Sequence, residues 1–252
     1  MKNDLENKIN VVFETVEARI TSKIRVFIQS KNNDLTLNQP VYAINWFDTR
    51  MLWIYDLYNW LAGPAVKKIN GKPFFKGRVS KVLYGQEEYR RDVLLIVYYP
   101  SVSAFKHMLE NGFFQIVSLL RILAVKEFTF GFSRRVDDAA VDTVTADSQE
   151  PFPTDKVYAI HHYRAEQDIT KALAEVIDRQ GVNIYFSSRM SAYLFSGDLQ
   201  GPAKQVPCLM DGVVLLQADS QLQLEDAVRQ EKYQALIRQT DSSFISGLNR
   251  VL

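Results

Sequence analysis

A chain of 252 residues, 47% of them apolar, is long enough for two domains of ordinary size and for a well-buried core. A net charge of +1 argues against a general nucleic-acid binder, and no stretch approaches the ~20 apolar residues of a membrane span. The single cysteine, Cys208, rules out an intramolecular disulfide or a cysteine zinc cluster, and Met1-Lys2-Asn3-Asp4-Leu5-Glu6 lacks the layout of a secretory signal, so a cytoplasmic protein is expected.

Residues 1–40 form an N-terminal extension. Leu5, Ile9, Val12, Val16, Ile20, Ile24 and Phe27 recur at steps of three or four, which predicts an amphipathic helix over 5–28. Its polar face is mixed in sign. That fits packing on the domains or on a second subunit, as a homo-oligomer contact, better than a membrane surface. Asn32-Asn33-Asp34 breaks the pattern, and Pro40 precedes the first strong strand.

The first unit is expected over 41–135. Residues 41–47 read as a strand rich in β-branched and aromatic side chains. Residues 51–69 read as a helix with Trp53, Leu57, Trp60 and Leu61 on one side and a kink or break at Pro64. Strands follow at 74–84 and 92–99, separated by a turn at Gly85. Ser101 or Ser103 can cap the next helix, whose apolar face is Ala104, Phe105, Met108 and Leu109. A further helical segment runs to Ala124, and a strand at 128–134 completes the order βαββαβ. Residues 136–155 carry Asp137, Asp138, Asp142, Asp147, Glu150 and Asp155 with no Lys or Arg, the composition of a solvated acidic linker. The second unit, 156–252, repeats the order. Its first helix, 169–177, places Leu173, Val176 and Ile177 in the core, and its middle hairpin passes through Gly197, Gly201, Pro202 and Pro207.

The two units share residues as well as order. Val41-Tyr42-Ala43-Ile44 returns as Val157-Tyr158-Ala159-Ile160, and Phe75-x-x-Arg78-x-Ser80-x-x-Leu83 returns as Phe186-x-x-Arg189-x-Ser191-x-x-Leu194. Asp92, Ser101 and Gln115 return as Asp211, Ser220 and Gln234. The spacing between blocks changes only where loops and helix ends are expected, since a strand interior cannot absorb an insertion without losing register. Two copies in one chain point to a fused pseudo-dimer.

The stretch Gly71-x-x-Phe74-Phe75-x-Gly77-Arg78-Val79, then Leu83-x-Gly85, then Asp92 to Ser101 and Ala104-Phe105-x-x-Met108-Leu109 resembles the small dimeric α/β-barrel domains of the domain-of-unknown-function family thirteen-thirty. Phe114-Gln115 and Tyr233-Gln234 fall where that family has Tyr-Gln, and Ala218-Asp219-Ser220 departs from its Tyr-Pro-Ser. The resemblance implies an α+β fold. It is two tandem ferredoxin-like βαββαβ units, their sheets packed face to face into an intramolecular dimeric α/β barrel, plus the N-terminal helix.

The wider superfamily includes haem enzymes, cofactor-free monooxygenases, cyclases and isomerases. In its haem-degrading members the axial histidine falls where this chain has Ser118, so haem in that place is not expected, and no cofactor or metal is called for. His107 is expected on the solvent side of its helix. His161 and His162 are adjacent on a strand, point to opposite faces and cannot share one metal. Their counterparts are Asn45 and Trp46. The polar residue on the barrel side is a candidate ligand contact, set against a buried structural histidine.

Arg78 and Arg189 are either anchors for a carboxylate or enolate, or partners of Asp92 and Asp211. Tyr84, Tyr98, Tyr99 and Tyr193 are candidate hydrogen-bond donors, or amphipathic core edges. The candidate ligand set is Asn45, Trp46, Tyr55, Arg78, Tyr98, His161 and Arg189. The expected pocket lies between the first helix and the sheet of the first unit, with Arg78 mattering more than Arg189.

Two functions are carried forward. One is a small-molecule-binding protein or cofactor-independent enzyme of monooxygenase, cyclase or isomerase type. The other is a non-catalytic binding or assembly protein that oligomerises through the pseudo-dimer and the N-terminal helix. A cavity lined by Trp46, Tyr55, Arg78 or Asn45 favours the first, and a barrel filled by side chains favours the second.

Overall fold

The computed structural model describes residues 24–25, 38–136, 153, 155–177, 180–196 and 210–251. Its strands are β1 (Ile24–Arg25), β2 (Val41–Thr49), β3 (Lys72–Tyr84), β4 (Val93–Tyr99), β5 (Val125–Arg135), β6 (Val157–Arg164), β7 (Val182–Ser196), β8 (Gly212–Ala218) and β9 (Ser242–Arg250). Its helices are α1 (Leu52–Lys68), α2 (Val102–Leu109), α3 (Gly112–Ala124), α4 (Thr170–Ile177), α5 (Gln221–Arg229) and α6 (Glu231–Arg238).

In the first half the strands lie in the order β5-β2-β4-β3, and in the second β9-β6-β8-β7. Each order is fourth, first, third, second, the antiparallel arrangement of a βαββαβ unit. The two sheets do not simply face each other, as expected from the sequence. Their edges join: β3 pairs with β9 and β5 with β7, closing eight strands into a barrel. The reason is physical. β3 and β5, with 13 and 11 residues, would leave long unpaired edges in an isolated unit, and closure removes them.

Three apolar clusters result. One lies between the first half's sheet and α1–α3, and one between the second half's sheet and α4–α6. The third fills the barrel with residues from both halves, among them Tyr42, Ile44, Trp46, Phe75, Ile96, Tyr158, Ile160, Phe186, Leu215 and Phe244. β2, β4, β6 and β8 thus have both faces covered.

Several expectations need correction. Ile24 and Arg25, expected in a helix, are extended and pair antiparallel with Ser196 and Phe195 of β7. The rest of the proposed N-terminal helix, nearly all of the acidic linker, the tip of the second hairpin and Cys208 lie outside the described residues. α1 continues through Pro64 and ends at Lys68, with Asn70, whose φ of 57° is left-handed, turning the chain out of it. Its buried side is Ile54, Tyr55, Tyr58 and Ala62, while Trp53, Leu57 and Trp60 face outward. In α2 only Met108 of the expected apolar face is fully buried, and Leu109 is exposed. α4 places Leu173 and Ile177 in the core as expected.

Caps fall at equivalent serines. Ser101 Oγ accepts from the Ala104 amide at 3.0 Å, and Ser220 forms a capping box with Gln223. Gly85 turns the chain out of β3 with φ of 101°, and a Cβ there would meet the Phe244 ring at 2.7 Å.

Candidate functional site

The alternation along β2 and β6 decides which polar residues reach the barrel interior. Tyr42, Ile44 and Trp46 point inward from β2, and Tyr158, Ile160 and His162 from β6. Asn45 and His161 point the other way, into the helix layers. Trp46 and His162 stand at the same register of their strands, and they meet across the barrel with ring centroids 4.9 Å apart at 60°. The same register position of the two halves thus meets across the barrel, with Phe244 also edge-on to Trp46.

His161 is fully engaged. Its Nε2 lies 3.0 Å from Ser243 Oγ and its Nδ1 lies 3.1 Å from the Tyr233 hydroxyl. The chain of hydroxyls fixes the proton positions. Thr240 donates to the Ile237 carbonyl at 2.7 Å, so it accepts from Ser243 at 2.9 Å. Ser243 must then accept from His161 Nε2–H, and His161 Nδ1 accepts from Tyr233. Complete burial holds the His161 pKa down to about 3. A neutral imidazole with both nitrogens occupied is a structural group, not a free acid or base.

His162 is the opposite case. It is 2% exposed, and neither ring nitrogen has a hydrogen-bond partner. The Trp46 indole N–H is likewise unpartnered and buried. Burial, with a contribution from His161, holds the His162 pKa down to about 3. An unsatisfied buried polar group costs about 1–3 kcal/mol, so the pair is an expense that packing alone does not explain. Beside them is a void of about 10 Å³, with Ile44, Thr129, Gly131, Met190, Met210 and Val213 also on its wall. That is the lower limit for a single water.

The remaining candidates are dispersed. Asn45 donates to the carbonyls of Ala43 and Leu95 at 3.3 and 3.2 Å, and accepts from Arg121 at 3.3 Å. Tyr55 packs against Phe47 and Tyr58 beneath α1, and burial pushes its hydroxyl pKa upward. Tyr98 is half-buried at the margin of the barrel cluster, edge-on to Tyr42. Arg78 is exposed on β3, and its expected partner Asp92 accepts from the amide and hydroxyl of Thr49 instead. Arg189 donates to the carbonyls of Ala165 and Glu166 at 3.3 and 3.2 Å and lies over the Tyr163 ring. The seven residues therefore do not converge on one pocket.

Lys76, not singled out from the sequence, is buried on β3, paired with Asp56 at 2.7 Å and close to the Tyr55 ring. Ser118 donates to the Phe114 carbonyl at 2.8 Å within α3. His107 is exposed and faces Glu110. Among the described residues no group of three or more His, Cys, Asp or Glu is placed to hold a metal ion, and no helix is long and apolar enough to cross a membrane.

The outer surface of the first unit carries two further features. A cleft of about 500 Å³ lies between the end of α1 and the α2–α3 junction, with Ile69 and Met108 on its floor and Lys68, His107 and Glu110 at its rim. Beside it, α1 and α3 pack together and turn Trp53, Leu57 and Trp60, and Phe113, Ile116 and Leu123, to solvent. Trp53 is 68% exposed and Trp60 75%. Monomeric proteins seldom leave such contiguous apolar surface open.

No family model and no curated protein matches this sequence. Among solved structures, a protein of unknown function from Rhodopseudomonas palustris is 20% identical, with 49% of this chain and 94% of that one covered at a TM-score of 0.38. An anthrone oxidase-like protein is 11% identical, with 91% and 94% covered at 0.47. A variant of the chlorite dismutase from Candidatus Nitrospira defluvii is 12% identical, with 85% and 93% covered at 0.43. At these TM-scores the fold rests on the strand order described above.

Proposed function

We propose that this chain is a binding and assembly protein that associates with a second copy of itself through the α1–α3 face of its first unit. The observation that carries the reading is the double stripe of exposed apolar side chains, Trp53, Leu57 and Trp60 beside Phe113, Ile116 and Leu123. A 17-residue helix is about 25 Å long, and two packed side by side span about 20 Å. The face is therefore about 500 Å² in projection. Side-chain relief raises that toward the ~800 Å² per partner of a standard interface. None of the six stripe residues is charged, and Asp56, exposed on the same side of α1, already has a counterion in Lys76 at 2.7 Å, so a two-fold arrangement can set this surface against itself without burying an unpaired charge. The filled barrel supports the same reading, because it leaves little room for a substrate. In this reading the two halves descend from one ferredoxin-like unit, and fusion frees the outer face of one half for association.

The test is sedimentation of the wild type and of two single variants, Trp60→Glu in the first unit and Leu222→Glu on the helix face of the second. The expected result is a dimer that Trp60→Glu dissociates and Leu222→Glu leaves intact. A monomeric wild type, or equal loss in both variants, contradicts it.

A second reading has its own observation. A small-molecule-binding protein, or a cofactor-independent enzyme, is supported by the unpaired His162 and Trp46 inside the barrel and by the first-unit cleft near Met108. Loss of a bound small molecule on substitution of His162, with the dimer intact, would favour it.

A further inference from the structure

Two of the unpartnered polar side chains inside the barrel, Trp46 and His162, share one void. Trp46 offers only a donor. A neutral His162 offers one donor and one acceptor. No charged side chain lines the void, which leaves a charged guest without a counterion. Apart from Thr129 the rest of the wall is uncharged and largely apolar, and two of its members are methionines, Met190 and Met210. Unbranched thioether side chains change rotamer at low cost, so the void can enlarge where they sit. A single hydroxyl answers both polar groups: its oxygen accepts from the Trp46 indole N–H, and its O–H donates to the unprotonated nitrogen of His162. An apolar body attached to that hydroxyl would lie against Met190, Met210, Ile44 and Val213.

We propose that this void is the seat of a binding site for a small neutral molecule bearing one hydroxyl on an apolar body, of about the size of phenol. Its polar end is recognised by Trp46 and His162, and its body enters by displacing Met190 and Met210. The site lies within the barrel, at the register where the two repeats meet, and is separate from the outer cleft and the α1–α3 face. It does not depend on the self-association proposed above.

The test uses the full chain and phenol as the probe, followed by the three tryptophan indole N–H signals in a proton–nitrogen correlation spectrum. Trp46→Phe assigns the interior signal. The expected result is a saturable shift of the Trp46 signal with a dissociation constant in the millimolar range. The affinity should fall at least tenfold in His162→Phe, and also in His162→Gln should the first variant fold poorly by circular dichroism. Met190→Ala, which enlarges the void, should bind phenol at least as tightly as the wild type. Toluene, which lacks the hydroxyl, should bind at least tenfold more weakly. Four results would overturn the proposal. They are no shift at Trp46, movement of the Trp53 and Trp60 signals alone, phenol binding that survives both His162 substitutions, and toluene binding equal to phenol. The second would place phenol on the outer face, and the last would leave only an apolar void.

Discussion

The helix layers of the two halves cover equivalent sheets, yet their outer surfaces differ. In the first half, α1 and α3 expose Trp53, Trp60, Phe113, Ile116 and Leu123. In the second, α4–α6 expose Lys171, Glu175, Asp226, Arg229, Glu231, Lys232 and Arg238, with Leu222 the single large apolar exception among the described residues. The undersides are alike: Tyr55, Tyr58 and Phe114 fill one layer, and Leu173, Leu224 and Tyr233 the other. The difference teaches that the barrel constrains what lies beneath a helix and leaves the other side free to serve something else. A polar outer face ends in water. An apolar one needs a cover.

The undersides give the sharpest way to break this comparison, since they should behave equally. Tyr55→Ala and Tyr233→Ala should each cost about 3–5 kcal/mol in denaturant unfolding, the range for truncating a large buried aromatic. A much smaller loss at Tyr55 would mean that the first helix layer is held by its partner and not by its own core. The outer faces should differ. Trp60→Glu should weaken dimerisation by at least about 2 kcal/mol, as for a central aromatic anchor, with Leu222→Glu near neutral by sedimentation.

Acid should act through the second half. The folded pKa values of His161 and His162, about 3, lie below the unfolded value of 6.5. Protonation therefore favours the unfolded chain. The stability tied to each neutral ring is fully present above about pH 6.5 and falls as pH drops toward 3, by up to about 1.4 kcal/mol per unit per histidine. Their first-half counterparts, Asn45 and Trp46, do not titrate. His162→Phe should flatten the profile by up to about one such increment per pH unit, and an unchanged slope would show that His162 is not neutral in the fold. The smallest effects should be the caps. Ser101→Ala and Ser220→Ala should each cost about 1 kcal/mol by thermal unfolding, because both hydroxyls hold an orphan amide of a helix start.

The order of elements was legible from the sequence, because Val41-Tyr42-Ala43-Ile44 and Val157-Tyr158-Ala159-Ile160 begin β2 and β6, and Ser101 and Ser220 cap helix starts in both halves. Which side of each element faces which neighbour was not legible. In β2 and β6 both faces are covered, so apolar residues fill both parities and no alternation tells the barrel side from the helix side. That is why His161 entered the candidate set in place of His162, although the two are adjacent. α1 is ambiguous for the same reason. Trp53, Leu57 and Trp60 make an apolar stripe, but so do Ile54, Tyr55, Tyr58 and Ala62, and only packing decides between them. Edge closure was hidden as well, since β3–β9 and β5–β7 pairings join residues far apart in the chain. Arg78 and Arg189 illustrate the limit of a shared motif: one repeated arginine lies exposed, and the other clamps two carbonyls.

The most direct measurement of the central claim is tryptophan emission as a function of protein concentration, with mass followed by light scattering on the same samples. Two of the three tryptophans, Trp53 and Trp60, lie on the proposed interface, and Trp46 is buried whatever the oligomeric state. The account predicts blue-shifted emission at twice the 29.0 kDa chain mass, moving to the red as dilution releases single chains. Emission that stays red at every concentration would leave the α1–α3 face uncovered. Emission that stays blue at the mass of one chain would mean that the chain covers the face itself. Either result would contradict assembly through a second copy.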